Sequence, residues 1–148
     1  METLSKLSFL TKIKGYISLL KLRLSSLVVM SAFFGYLLAG GNLSSIVFFE
    51  LIMGGILITG SSNGFNQIIE SKTDALMTRT STRPLPSGIL NNFEAILFCS
   101  IIGFLGLYLL LDINFSSFIL GLLAMVIYTV IYTPLKKISP FSLFIGAI

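Results

Sequence analysis

Residues 66–88 read NQIIESKTDALMTRTSTRPLPSG, and they interrupt a chain that is otherwise greasy. Within 18 of these residues stand Asn66, Glu70, Lys72, Asp74, Arg79 and Arg83, followed by Pro84, Pro86 and Gly88. Outside this stretch the character changes. Of 148 residues, 55% are apolar and only 11% charged, and the mean hydropathy is +0.97. A soluble domain carries about 25% charged residues, so a soluble globular fold is excluded. Backbone in lipid must satisfy itself, which leaves helices or closed barrels, and the length of the apolar runs selects helices.

Four runs are long enough to cross a bilayer: about 24–41, 45–69, 93–111 and 115–133. A fifth begins near Phe141, after Pro140, and the sequence stops at Ile148. Eight apolar residues do not cross a membrane, so the expectation is an all-α, multi-pass bundle of four spans plus the start of a fifth. The chain is expected to be a fragment of a larger bundle, with 1–148 one truncated domain and 1–23 a basic arm. A basic arm before an apolar run also resembles a signal peptide, but the cleavage signal is weak, so retention as an anchor is expected.

The ten basic residues are Lys6, Lys12, Lys14, Lys21, Arg23, Lys72, Arg79, Arg83, Lys136 and Lys137. They fall in the arm, in the connection after the second span and after the fourth span. The opposite connections, around Asn42 and Asp112, have none. The positive-inside rule then puts the N-terminus and the 66–88 stretch on the cytoplasmic side. Histidine is absent, which removes imidazole from acid–base, metal and haem-ligand roles, and the lone Cys99 supports no disulfide framework.

Asn66, Glu70 and Asp74 recur every fourth residue. On a continued helix they share one face, about 6 Å apart along the axis. Oxygen ligands without nitrogen or sulfur suit a hard cation such as Mg2+, which is held by one or two carboxylates together with substrate phosphates. Arg79 and Arg83, with Lys72 beside them, offer guanidinium and ammonium groups that match phosphate oxygens. Spacing alone leaves a second reading open, an interfacial loop whose charges pair with one another and with lipid headgroups. Tyr128, Tyr132 and Lys136 also recur every fourth residue; they read either as cation-stabilising aromatic faces with a lysine reaching phosphate, or as an interfacial aromatic belt with basic flank. Glu50 lies near the outer start of the second span, where it is expected to reach the interface. Gly54, Gly55, Gly60, Ser61 and Ser62 suit close helix packing.

The pattern N-Q-x-x-E-x-x-x-D followed by R-T-x-x-R-P-L-P-S-G resembles the first Asp-rich motif of the UbiA-type intramembrane prenyltransferase superfamily, which reads N-D-x-x-D-x-x-x-D before the same basic element. Asn66, Glu70, Asp74, Arg79 and Arg83 align without a gap; Gln67 and Glu70 replace aspartates. The stretches NGFNQIIESKTDALMTRT (63–80), YTPLKKISPFSLFIGAI (132–148) and KLRLSSLVVMSAFFGYLLA (21–39) are most similar to the protoheme IX farnesyltransferase (haem O synthase) branch, over residues 16–148.

That resemblance implies transfer of a farnesyl group from farnesyl diphosphate to a vinyl group of haem B. It implies Asn66, Glu70 and Asp74 as catalytic ligands of Mg2+, with Arg79, Arg83, Lys72 and Lys136 toward the diphosphate and Tyr128 and Tyr132 toward the substrate. The implied partners are farnesyl diphosphate, haem B, membrane lipid and a downstream haem A synthase, with no nucleic acid; the implied setting is a bacterial inner membrane. An aromatic or chlorin acceptor, or a non-enzymatic membrane bundle, are the rival readings. The superfamily's second acidic motif is not found in 1–148, so this fragment alone is expected to be inactive.

Overall fold

The structure is a computed structural model and describes residues 2–133. In chain order it contains α1 (Glu2–Leu20), α2 (Leu22–Leu38), α3 (Ile46–Asp74), α4 (Asn92–Ile113), α5 (Phe115–Val126) and a π-helical turn (Ile127–Tyr132). No strand occurs among the described residues. Four helical segments are long and apolar enough to cross a membrane: Phe9–Leu38, Ile46–Asp74, Asn92–Ile113 and Phe115–Tyr132. The chain is therefore an all-α, multi-pass membrane bundle. The start of a fifth span lies outside the described residues.

Local chemistry sets most of the helix ends. Ser45 caps α3 by accepting from the Phe48 amide at 3.1 Å. Asn91 and Glu94 form a reciprocal capping box on α4, at 2.7 and 3.0 Å. Glu94 has a second task, an ion pair at 2.6 Å with Lys12 that ties α1 to the start of α4. Asn114 alone separates α4 from α5 and caps α5 through the Ser117 amide at 2.7 Å. The connection expected around Asp112 thus shrinks to one residue.

The arm expected at 1–23 is helical. α1 and α2 together replace an arm and a span, and they part at Lys21, whose φ of 44° and ψ of 53° are left-handed. The second span is longer than expected, with α3 running 29 residues, about 43 Å at 1.5 Å per residue. That exceeds a hydrocarbon thickness of roughly 30 Å, so one end of α3 must leave the hydrocarbon.

α3 touches every other element and is the centre of the bundle. Its small residues let neighbours approach backbone to backbone. A Cβ on Gly106 would stand 3.0 Å from the Gly54 carbonyl oxygen of α3, and one on Gly64 would overlap Cys99 Sγ of α4. Apolar contacts gather in two places: Leu19, Leu90, Ala95 and Cys99 near the connection end, and Ile58, Leu107 and Leu110 near the other. Glu50 is buried, and its carboxyl lies in hydrogen-bonding reach of the Asp112 carboxyl, because the tight α3–α4 approach turns that face of α3 onto the end of α4.

Candidate functional site

The 66–88 stretch divides between two structures. Residues 66–74 are the last turns of α3, so Asn66, Glu70 and Asp74 lie on one face within about 40° of Glu70, at 100° per residue. All three are buried. From Ala75 the chain proceeds as successive turns, with Thr80 N bonded to Met77 O, Arg83 N to Thr80 O and Ser87 N to Arg83 O, each at 3.0 Å. The Thr80 hydroxyl donates to the Asp74 carbonyl at 2.9 Å and seals the end of α3. Pro84 is buried, and its carbonyl accepts from Leu90 N at 3.0 Å. Gly88 turns the chain with φ +74°, a conformation glycine adopts without strain.

This folding-back carries Arg83 over the acidic row. Its Nη1 meets Asp74 Oδ2 at 2.6 Å, with the arginine side chain 24% and the aspartate 7% exposed. Arg83 therefore holds one oxygen of the carboxylate expected to bind metal. Arg79 is exposed on the same connection, and Lys72 is exposed on the far side of α3, about 200° from Glu70. The structure brings Arg83 to the row and leaves Lys72 away from it.

Across from this row lies the π-helical turn, which packs on α3. Tyr128 and Tyr132 stack with ring centroids 5.2 Å apart and planes 21° apart. The Thr133 hydroxyl, donating to the Tyr128 carbonyl at 2.9 Å, supports the widened turn. Tyr128 interacts electrostatically with Glu70. The aromatic pair and the acidic row thus belong to one end of the bundle. Lys136 lies outside the described residues.

Asn66 Oδ1 is buried with no hydrogen-bond partner. A buried acceptor left unpaired is costly, and a cation or a bound water relieves it. Among the described residues no three of His, Cys, Asp and Glu gather to hold a metal, so a cation here would rest on the Glu70 and Asp74 carboxylates and the Asn66 amide oxygen. Two carboxylates and a carbonyl fit a hard divalent ion that keeps water and phosphate ligands.

The polar residues Ser25, Asn63 and Gln67 had no assigned role. All three are buried. Gln67 Nε2 donates to the Leu19 carbonyl at 2.9 Å, Ser25 Oγ to the Leu20 carbonyl at 2.8 Å, and Asn63 Nδ2 to Ser25 Oγ at 3.3 Å. These carbonyls lose their helical partners at the Lys21 break. Gln67 therefore holds the break through its amide. Polar side chains within an apolar span are a sequence signal of some function, but their partner, a break 42 to 46 residues earlier, is invisible in one dimension. Gln67→Leu should strand the Leu19 carbonyl and lower stability by about 1–3 kcal/mol, read as a drop in unfolding midpoint in detergent.

The chain matches the model of the UbiA prenyltransferase family over residues 28–148. It is 41% identical over 139 residues to a protoheme IX farnesyltransferase of Cytophaga hutchinsonii, covering 93% of this chain and 49% of that protein. It is 42% identical over 127 residues to the protein of that name from Christiangramia forsetii, covering 86% and 42%. A mitochondrial protoheme IX farnesyltransferase of Pyricularia oryzae is 36% identical over 146 residues, covering 89% and 26%. The chain spans about half the length, or less, of these relatives. No solved structure matches. With its family match running from α2 to the last residue and taking in the whole buried acidic row, the chain belongs to the UbiA prenyltransferase family.

Proposed function

We propose that this chain carries the first acidic motif of an enzyme that transfers a farnesyl group from farnesyl diphosphate to a vinyl group of haem B. The observation that carries this reading is the buried row Asn66, Glu70 and Asp74 at the end of a membrane-length helix, with Arg83 folded onto it. A buried carboxylate row with a guanidinium beside it suits a metal-bound diphosphate, and the named relatives support haem as acceptor. In this reading Asn66, Glu70 and Asp74 hold Mg2+. Held there, Mg2+ would supply positive charge that offsets the charge on a departing diphosphate.

The chain's own residues do the rest. Arg83 keeps Asp74 oriented until diphosphate arrives, then shares its guanidinium with the phosphate oxygens. Arg79 adds a guanidinium donor on the same connection, and Lys136 is assigned toward the diphosphate as well. The stacked Tyr128 and Tyr132 present aromatic faces to the positive charge that develops on the allylic carbon. The bond from that carbon to diphosphate breaks as the carbon bonds to a vinyl carbon of haem B, water adds a hydroxyl to the neighbouring carbon, and the proton from water leaves with the diphosphate. The basic connections lie on the cytoplasmic side of an inner membrane, and the product is passed to a haem A synthase.

The test uses the full-length protein with farnesyl diphosphate and either haem B or 4-hydroxybenzoate, read by mass spectrometry. A hydroxyethylfarnesyl haem is the expected product. Prenylated benzoate with unchanged haem B overturns the acceptor, and no prenyl transfer to either overturns the reading.

A further inference from the structure

The α1–α2 break is a built feature. Lysine holds the left-handed φ of 44° at Lys21, a conformation that glycine or asparagine adopts more readily. Ser25 and Gln67 satisfy the Leu20 and Leu19 carbonyls at the break, and Asn63 braces the Ser25 hydroxyl; all three are buried. Strain kept in place by surrounding groups marks a position with a use. None of these three side chains belongs to the Asn66, Glu70 and Asp74 set.

The break opens a groove of about 530 Å³. Lys21 and Arg23 line it with Ile17, Leu22, Leu24 and Leu27, and those four apolar side chains are 44–59% exposed. Its level can be read from helix length. α2 has 17 residues, about 25 Å at 1.5 Å per residue, close to one hydrocarbon thickness. The Leu22 end of α2 therefore lies at the hydrocarbon boundary, where phospholipid phosphates sit. With α2 as the crossing part of the Phe9–Leu38 segment, this level turns the apolar wall to the acyl side and sets the two cations near the phosphates.

We propose that this groove seats an anionic phospholipid, with its phosphate between Lys21 and Arg23 and an acyl chain along Ile17, Leu22, Leu24 and Leu27. Charge complementarity selects the occupant. A zwitterionic headgroup brings its own cation to the basic pair, whereas phosphatidylglycerol brings net negative charge. The site is separate from the acidic row and does not depend on the proposed reaction.

The test is native mass spectrometry of the full-length protein released from a neutral detergent, titrated with phosphatidylglycerol or with phosphatidylcholine of matched acyl chains. The wild type should retain phosphatidylglycerol over phosphatidylcholine by roughly 30-fold, the scale set by two basic side chains near an anionic surface. Lys21→Gly with Arg23→Gln should bring the preference close to parity. Glycine keeps the left-handed backbone, so the break survives the loss of the ammonium, and unchanged helicity by circular dichroism checks this. Arg23→Gln alone should remove part of the preference, and Lys14→Gln, exposed on α1 outside the groove, should leave it intact. The proposal is overturned by equal retention of both lipids in the wild type, as when another segment of the full-length protein fills the groove. An undiminished preference in the double variant also overturns it. So does displacement of phosphatidylglycerol by inorganic pyrophosphate at equal concentration, which would make the groove a seat for free diphosphate.

Discussion

Asp74→Asn in the full-length protein should lower prenyl transfer by roughly 100- to 1,000-fold, the scale seen when one preorganised electrostatic group is removed from an active site. The substitution keeps the side chain's size and its place on the buried face of α3 but deletes the charge that faces Arg83 at 2.6 Å. Two functions fail together. The row loses one of its two carboxylates, and Arg83 loses the anchor that aims it. Arg83→Ala should act in the same direction by a smaller factor, because Arg79 on the same connection still offers a guanidinium. Lys72→Ala, exposed on the far side of α3, should change the rate by no more than about threefold, within the range of an exposed charge. The measurement is initial rate at saturating farnesyl diphosphate. If Asp74→Asn turns over at the wild-type rate, the acidic row is not the site.

Gly106→Leu carries the second large effect, on stability. A Cβ at Gly106 would lie 3.0 Å from both the Gly54 carbonyl oxygen and the Ile58 amide nitrogen. Both are backbone atoms of α3 and cannot swing aside as a side-chain tip can. Leucine therefore has to push α3 and α4 apart, and overpacking of this kind costs about 1–3 kcal/mol or more. Because α3 touches every other element, the displacement spreads to the α2 and α5 contacts. Gly35→Leu is the control, since nothing lies within 4 Å of a Cβ there. Unfolding by denaturing detergent should separate the two variants, and equal midpoints would show that α3 and α4 are not packed this closely.

Much was legible in one dimension. Hydropathy marked all four membrane-length segments, because a residue's preference for lipid over water depends little on its neighbours in space. The four-residue spacing of Asn66, Glu70 and Asp74 put them on one face, because α3 continues without a break to Asp74. The pairing of Tyr128 with Tyr132 was legible by the same logic, although the turn that carries them is π-helical. The boundaries were less well read. The arm is helix, and α3 outlasts its apolar run, because helix continuation depends on hydrogen bonding and packing as well as on hydropathy.

Three features could not be read from the letters. Gln67 was compared with an aspartate that it replaces, yet its amide serves the Leu19 carbonyl. Glu50 stands near the start of its span, yet its partner there is the Asp112 carboxyl at the end of α4. Arg83 was assigned to phosphate, yet its nearest partner is Asp74. Each depends on where a distant or folded-back segment comes to lie. By itself the sequence determined the membrane setting, the helical class and the acidic face, since these follow from side-chain solvation and helical period. Tertiary structure alone decided which carbonyl, carboxylate or guanidinium each polar group meets, because a buried hydrogen bond or ion pair is a relation between segments, formed only when a break such as Lys21 or a turn such as 75–88 brings them together.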